Sequence, residues 1–340
     1  MKLSEPNILK VRLHKVFLGK KIARPLRVMT TGDWHISPIV SEKQLENLKE
    51  ALAQANPDAI ILQGDLVDSP IELRRETSLK KLLKELRLCV ATAPTVLVLG
   101  GHDFTTPTRP AKVMAKEALL LWKKICRRCG VKLLLNEWYE AVPGLKIFGA
   151  FQDANCILRK NRHGELVHWD MPDRFADYLK KNAEVIGAGF ESDARLRDDD
   201  SAIYWFAAHA PLINREVADQ LQSFDMASFG HTHGGVIPLG MDEAFDRLHL
   251  HFGLISPNMT PLPRRTRGVM PLGDSTMMVV NPGMVAVHFA SPKLLQNFNF
   301  LKAAEVSVVE IAEMEDGQIK LPRKKSKDEN SNGSDLNEYF

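Results

Sequence analysis

Five short segments carry the residues able to do chemistry: Asp33-Trp34-His35, Asp65 with Asp68 three residues on, His102-Asp103, His209, and His231-Thr232-His233. Each follows an apolar run that ends in a small residue or turn: "LRVMTTG", "DAIILQG", "TVLVLGG", "AIYWFAA" and "DMASFG". Alternate residues of an extended segment point the same way, so the DxH and HxH pairs can each offer two donors to one ion. Carboxylates mixed with neutral imidazoles suit Mn, Fe or Zn, whereas Mg and Ca favour all-oxygen shells. A carboxylate can also bridge two ions roughly 3.5–4 Å apart, the spacing used in phosphoester hydrolysis. Any one of these motifs alone is an ordinary turn after a strand. Five in series, each at a strand end, point to a two-metal site.

The elements that would position them can be read from periodicity. Residues 26–30 are a buried strand, followed by a helix from about Ser41, where Ser41 and Gln44 form a capping box before Leu45, Leu48 and Leu52. "DAIILQ" is a second strand, a Leu/Lys helix covers roughly 72–88, and "TVLVLG" is the third strand. A helix over about 111–129, short strands at "VKLLL" and "LKIFGAF", and strong strands at "AIYWFAA" and "DMASF" follow. Later segments are β-rich. Residues 155–200 are polar, with a helix near 173–185, and read as an insertion or loop region. The expected organisation is one domain over residues 1–320, with a disordered polar tail at 321–340. Strands alternating with helices, then more strands, indicate an α/β protein with at least one mixed sheet. In an open α/β sheet, ligands bind off the carboxyl ends of the strands, where the Asp and His residues fall.

Composition sets the outer bounds. The chain of 340 residues is 44% hydrophobic and 26% charged, with a net charge of +3. That balance, with no basic segment interleaved with aromatics, argues against nucleic acid as a partner. The four cysteines are too few for a disulfide framework and point to a reducing, cytoplasmic location. The Cys126–Cys129 pair has no second pair to complete a zinc knuckle and reads as part of a helix closed by Gly130. No apolar run is long enough for a signal peptide or membrane span, which leaves a soluble or peripherally membrane-associated protein. His14, His163, His168, His249, His251 and His288 match no motif and read as structural or surface residues.

The series "GDWH", "GDLVD", "GGHD", "HAP" and "GHTHGG" resembles the motifs of the calcineurin-like metallophosphoesterases, over residues 26 to about 235. The resemblance implies a four-layer α/β/β/α sandwich of two mixed sheets flanked by helices, with a dinuclear metal centre on one edge. It implies that Asp33, His35 and His233 bind one ion, that His209 and His231 bind the second, and that Asp65 bridges them. A metal-bound hydroxide would attack the phosphoester. His102 would act as general acid or phosphate donor, Asp103 would orient or tune it, and Asp68 would support the ligands from behind. At the position where the family has a metal- and phosphate-binding Asn, this chain has Gly101, so a weaker second ion is expected.

The doubled glycine after HTH and the block "LLLNEWYEAVPGLKIFGAFQD" resemble a bacterial branch of small phosphodiesterases, some membrane-associated and one cleaving a UDP-linked diacyl sugar. That branch usually has an N-terminal membrane segment, which this chain is read as lacking. Asp153 and the cluster Arg264, Arg265 and Arg267 are either contacts for an anionic substrate or solvated surface. The expected function is a metal-dependent phosphoesterase, more specifically a phosphodiesterase, with a nucleotide, phospholipid or UDP-sugar substrate. The alternatives are a catalytically weakened binding scaffold, a UDP-diacylglucosamine-type pyrophosphatase and a nuclease of the same superfamily.

Overall fold

Among the described residues, two six-stranded sheets form the frame. The first has the order β1 (Leu9–Leu18), β14 (Ala304–Glu313), β2 (Leu26–Thr31), β3 (Ala59–Leu62), β4 (Thr95–Leu97) and β5 (Lys132–Leu133). The second runs β12 (Gly268–Leu272), β13 (Thr276–Val280), β11 (Met226–Phe229), β10 (Ile203–Ala207), β7 (Leu145–Gly149) and β6 (Glu137–Val142). Both are mixed. β2, β3, β4 and β5 are parallel, while β14 joins β2 antiparallel. β13, β11, β10 and β7 are parallel, with antiparallel strands at both edges. The computed structural model describes residues 9–38, 42–105, 111–160, 166–168, 171–194, 201–235, 241–248, 250–251, 265–284 and 304–314.

Side-chain alternation along the strands creates the layers. In β3 all four residues are buried, yet Ala59 and Ile61 join one core cluster while Ile60 and Leu62 join another. β10 divides likewise, with Trp205 and Ala207 in the first cluster and Phe206 in the second. The first cluster, with Val28, Val96, Ile147, Met226 and Val279, fills the space between the sheets. The second lies under the helices. α1 (Glu42–Ala55), α2 (Glu76–Thr92) and α4 (Ala111–Cys129) bring Leu48, Leu52, Leu82, Leu86 and Trp122 to it. α6 (Pro172–Lys181) and α8 (Arg215–Gln220) bring Phe175, Leu179 and Val217. The result is the four-layer sandwich expected.

Runs buried on both faces were legible as strands, but β1 was not. It pairs with β14 in parallel over Leu9–Leu18, an edge position that leaves Leu13 and Phe17 exposed and mixes Lys and Arg into the pattern. The capping residue expected at Ser41 lies outside the described residues, as do the segment "MVAVHFA" after Met284, the tail 321–340, and His163, His249 and His288. Within the stretch expected as insertion or loop, α5 (Ala154–Ile157) leads into a small hairpin of β8 (Leu158–Lys160) and β9 (Leu166–His168). α6 and α7 (Ala183–Ala194) then pack on the second sheet. α9 (Asp242–Arg247) follows β11.

Trp138 on β6 fixes α7 in place. Its ring meets Phe148, Phe190, Tyr204 and Phe224 with centroids 5.2–6.0 Å apart, and its indole N–H donates to the Val185 carbonyl at 3.0 Å. Aromatic clusters of this kind carry a large share of packing energy. Trp138→Ala is therefore expected to cost about 3 kcal/mol in denaturant unfolding and to expose residues 183–194 to proteolysis first. An unchanged midpoint would show that α7 is held by other contacts.

Candidate metal centre

Parallel strands place their carboxyl ends together, and the segments singled out in the sequence meet there. Asp33 and His35 follow β2, Asp65 follows β3, and His102 lies in α3 (Gly101–Phe104), a single turn after β4. His209 follows β10, and His231 and His233 follow β11. The loops are tied to one another by main-chain bonds from Asp33 N to the Gly64 carbonyl, His35 N to the Asp65 carbonyl, and Gly230 N to the His209 carbonyl, at 2.7–3.0 Å. The two sheets thus contribute opposite walls of one edge.

The donor atoms form three overlapping sets, each with its members within 4.8 Å of one another: Asp33, His35 and His233; His35, Asp65 and His102; Asp65, His209 and His231. Asp65 belongs to the last two. Its Oδ2 lies 3.1 Å from His209 Nε2 and 3.9 Å from His35 Nε2, while Oδ1 accepts the His102 amide at 2.9 Å. His35 Nε2 and His233 Nε2 are 3.3 Å apart, and His209 Nε2 and His231 Nδ1 are 3.2 Å apart. Ring nitrogens aimed at common points in this way make sense around shared cations. The Asp33 Oδ1 atom is buried and accepts no hydrogen bond among the described residues; His233 Nε2 stands 3.6 Å away. Among the described residues, neither Asp33 nor Asp65 pairs with a lysine or arginine. An orphaned buried carboxylate oxygen and a donor set of carboxylates and imidazoles fit divalent ions.

The backbone supports the same reading. Asp33, His35, Asp65, His231 and His233 all have positive φ, between 43° and 66°, in the left-handed region that non-glycine residues rarely adopt. Such strain persists where the surroundings impose it, and it gathers at functional sites. Two glycines admit the crowding. A β-carbon on Gly100 would overlap Asp65 Oδ1 and stand 2.7 Å from His209 Nδ1, and one on Gly230 would stand 2.7 Å from Asp33 Oδ2.

Burial shapes the charges. Asp33, His35, Asp65, His209 and His233 are buried, whereas His102 and His231 are partly exposed and form the open side. Burial raises the Asp33 carboxyl above its usual range, against the pull of the imidazoles. Burial acts the same way on Asp65, yet His209 and His102 outweigh it and hold that carboxyl well below the usual range. His209 is pushed up to about 10, because Asp65 and Asp33 overcome the desolvation of the ring. His209 Nδ1 meets the Gln63 carbonyl at 2.6 Å, which turns Nε2 toward Asp65.

His102 and Asp103 were expected to work as a pair, and their side chains are engaged elsewhere. His102 Nδ1 donates to the Asp68 carbonyl at 2.8 Å. Both oxygens of the fully buried Asp103 carboxylate accept main-chain amides: Oδ2 those of Asp65 and Gly100, Oδ1 those of Leu66 and Val67. The adjacent position in sequence misled because residues 102 and 103 point to different sides of a helical turn. Burial and the nearby Asp65 push the Asp103 carboxyl up to about 7, against the pull of these amides. The Asp68 carboxylate lies 3.7 Å from His35 Nδ1.

Two of the remaining candidates make contacts of their own. Arg267 is buried 3.9 Å from Glu305, and its carbonyl meets His251 Nδ1 at 3.1 Å. Arg264 lies outside the described residues. Asp153 Oδ1 caps the amides of Asn155 and Cys156. Sequence reasoning missed the supports. Thr232 Oγ1 donates to the Thr266 carbonyl and Thr266 Oγ1 to the Gly234 carbonyl, pinning the HTHGG loop. Asn281 bonds the Thr30 carbonyl and the Gly283 amide, bringing Gly283 against Asp33. The turn residues "NPG" directly after a strand were the available signal.

The chain is 24% identical over 212 residues to an uncharacterized metallophosphoesterase of Aquifex aeolicus (strain VF5), covering 62% of this chain and 64% of that protein. It is 21% identical over 261 residues to a Danio rerio transmembrane protein with metallophosphoesterase domain, covering 76% of this chain and 48% of that one. The chain thus spans less than two thirds of the length of these curated relatives. A dimetal phosphatase from Danio rerio aligns at a TM-score of 0.37 with 12% identity, covering 76% of this chain and 88% of that one. Residues 26–235, which hold Asp33, His35, Asp65, His102, His209, His231 and His233, match the calcineurin-like phosphoesterase family, and the chain belongs to it.

Proposed function

We propose that the protein is a metal-dependent phosphoester hydrolase, more specifically a phosphodiesterase, using two divalent ions of the Mn, Fe or Zn type. The reading rests on one observation above all. Asp65 is shared between donor sets on opposite walls, one reaching Asp33 and His233 through His35, the other holding His209 and His231. In this reading Asp33, His35 and His233 would hold one ion, His209 and His231 would hold the other, and Asp65 would be shared by both. Bound there, the ions would neutralise phosphate charge and acidify a coordinated water.

The chain's own residues supply the rest. His102 stands at the open side with Nδ1–H given to the Asp68 carbonyl, which leaves Nε2 to carry a proton toward a departing alkoxide. Small phosphorylated compounds of the nucleotide, phospholipid or UDP-sugar class are the candidate substrates. Among the described residues, no helix is long and apolar enough to cross a membrane. Four free, buried cysteines accord with a reducing cytoplasmic setting.

A second reading, a weakened or non-catalytic scaffold, draws on Gly101, which stands where the family's Asn would bind the second ion. Gly101 begins a helical turn and is not among the positive-φ glycines, so its backbone can accept a side chain.

Asp65→Ala is expected to abolish hydrolysis of bis-p-nitrophenyl phosphate and to lower bound Mn by at least one ion per chain, measured by metal analysis. Retained hydrolysis would move the active site elsewhere. Uptake of an ion must also displace the proton that Asp65 holds on His209, so apparent affinity should fall as pH falls below about 10, by up to tenfold per unit. Calorimetric titration with Mn at neutral pH in two buffers of different ionisation enthalpy would read the released proton, and identical heats would contradict it. Gly101→Asn should tighten the weaker ion; unchanged binding would mean that another group already serves that position.

A further inference from the structure

The Asp103 carboxylate does something the proposed chemistry does not use. Three successive amides, those of Asp65, Leu66 and Val67, converge on it at 2.8, 2.9 and 3.3 Å, with the Gly100 amide at 2.9 Å as a fourth. Successive amides that follow a left-handed residue make an anion-binding concavity. Asp65, with φ of 50°, creates such a concavity, and Asp103 fills it from the neighbouring loop. The exchange is reciprocal, because Asp65 Oδ1 in turn accepts the His102 amide at 2.9 Å. Each loop donates amides to the other loop's carboxylate. The clasp is closed from behind by Trp122, whose indole N–H donates to the Asp103 carbonyl at 2.9 Å.

We infer that Asp103 is a positioning residue that makes Asp65 bridge through a single oxygen. With Oδ1 held by the His102 amide, only Oδ2 faces His209 and His35, at 3.1 and 3.9 Å. One oxygen shared by two ions holds them closer than a carboxylate spanning them with both oxygens. Asp103 therefore acts on the spacing of the ion pair rather than on the proton carried by His102. The inference rests on the two-ion reading of the site. It goes beyond that reading by naming what holds the bridge in register.

Asp103→Asn keeps the size of the side chain but presents an NH₂ group to amides that are themselves donors. Loss of a group that orients a metal ligand typically weakens binding 10–100-fold. The test is Mn titration of the intact protein with electron paramagnetic resonance of the loaded state. The wild type should give the exchange-coupled spectrum of a closely spaced pair. Folded Asp103→Asn should bind both ions 10–100-fold more weakly and give the six-line spectrum of separate ions. Asp103→Glu, which keeps the charge but shifts it along the side chain, carries the same comparison if Asp103→Asn does not fold. An unchanged coupled spectrum and unchanged affinity in a folded variant would overturn the inference, as would a change confined to the pH profile of hydrolysis. A wild type that binds no Mn pair would instead overturn the two-ion reading itself.

Discussion

Burying two carboxylates side by side is the condition on which the rest of this structure depends. Asp33 and Asp65 sit at 0% and 2% exposure with no lysine or arginine paired to either among the described residues. Removing an ionised carboxylate from water costs several kcal/mol unless opposite charge and hydrogen bonds compensate it. Here the compensation is a ring of imidazoles and main-chain amides. Among the described residues, that arrangement leaves Asp33 Oδ1 without a hydrogen bond and sets pairs of ring nitrogens 3.2–3.3 Å apart. Divalent cations at this edge would resolve each of these features together.

The fold accepts that burden because its parallel strands gather loops that no local interaction could hold alone. The loops after β2, β3 and β11 pass through left-handed residues and are tied to the loops beside them. The mutual grip of Asp65 and Asp103 is one of these ties, and the Thr232–Thr266 pair is its counterpart on the second sheet. Both are side chain to main chain bonds. They convert sheet register, a property of the whole core, into the placement of single oxygen and nitrogen atoms.

The proposed ligands were legible because each occupies the same position relative to a buried strand, a pattern that composition and periodicity expose directly. The outer limits of the sheets were harder to read. β1 alternates lysine and arginine with apolar residues because it lies at an edge, and α7 packs through Phe190 on an aromatic cluster that includes Trp138 of β6. The task of Asp103 left no trace in sequence, since carboxylates that bind main-chain amides can do so to any residue type. The two glycines before His102 also divide differently than their sequence implied. Gly101 occupies the position where the resemblance leads one to expect a metal-binding Asn, but Gly100 is the one that geometry confines, against Asp65 and His209.

The central claim, two ions about Asp65 Oδ2, is tested most directly by crystals grown with Mn and measured for anomalous scattering. The account predicts two peaks about 3.5–4 Å apart, one among Asp33, His35 and His233, the other beside His209 and His231. A Mn-saturated crystal with no peak at this edge, or with its ions bound away from Asp65, would contradict it.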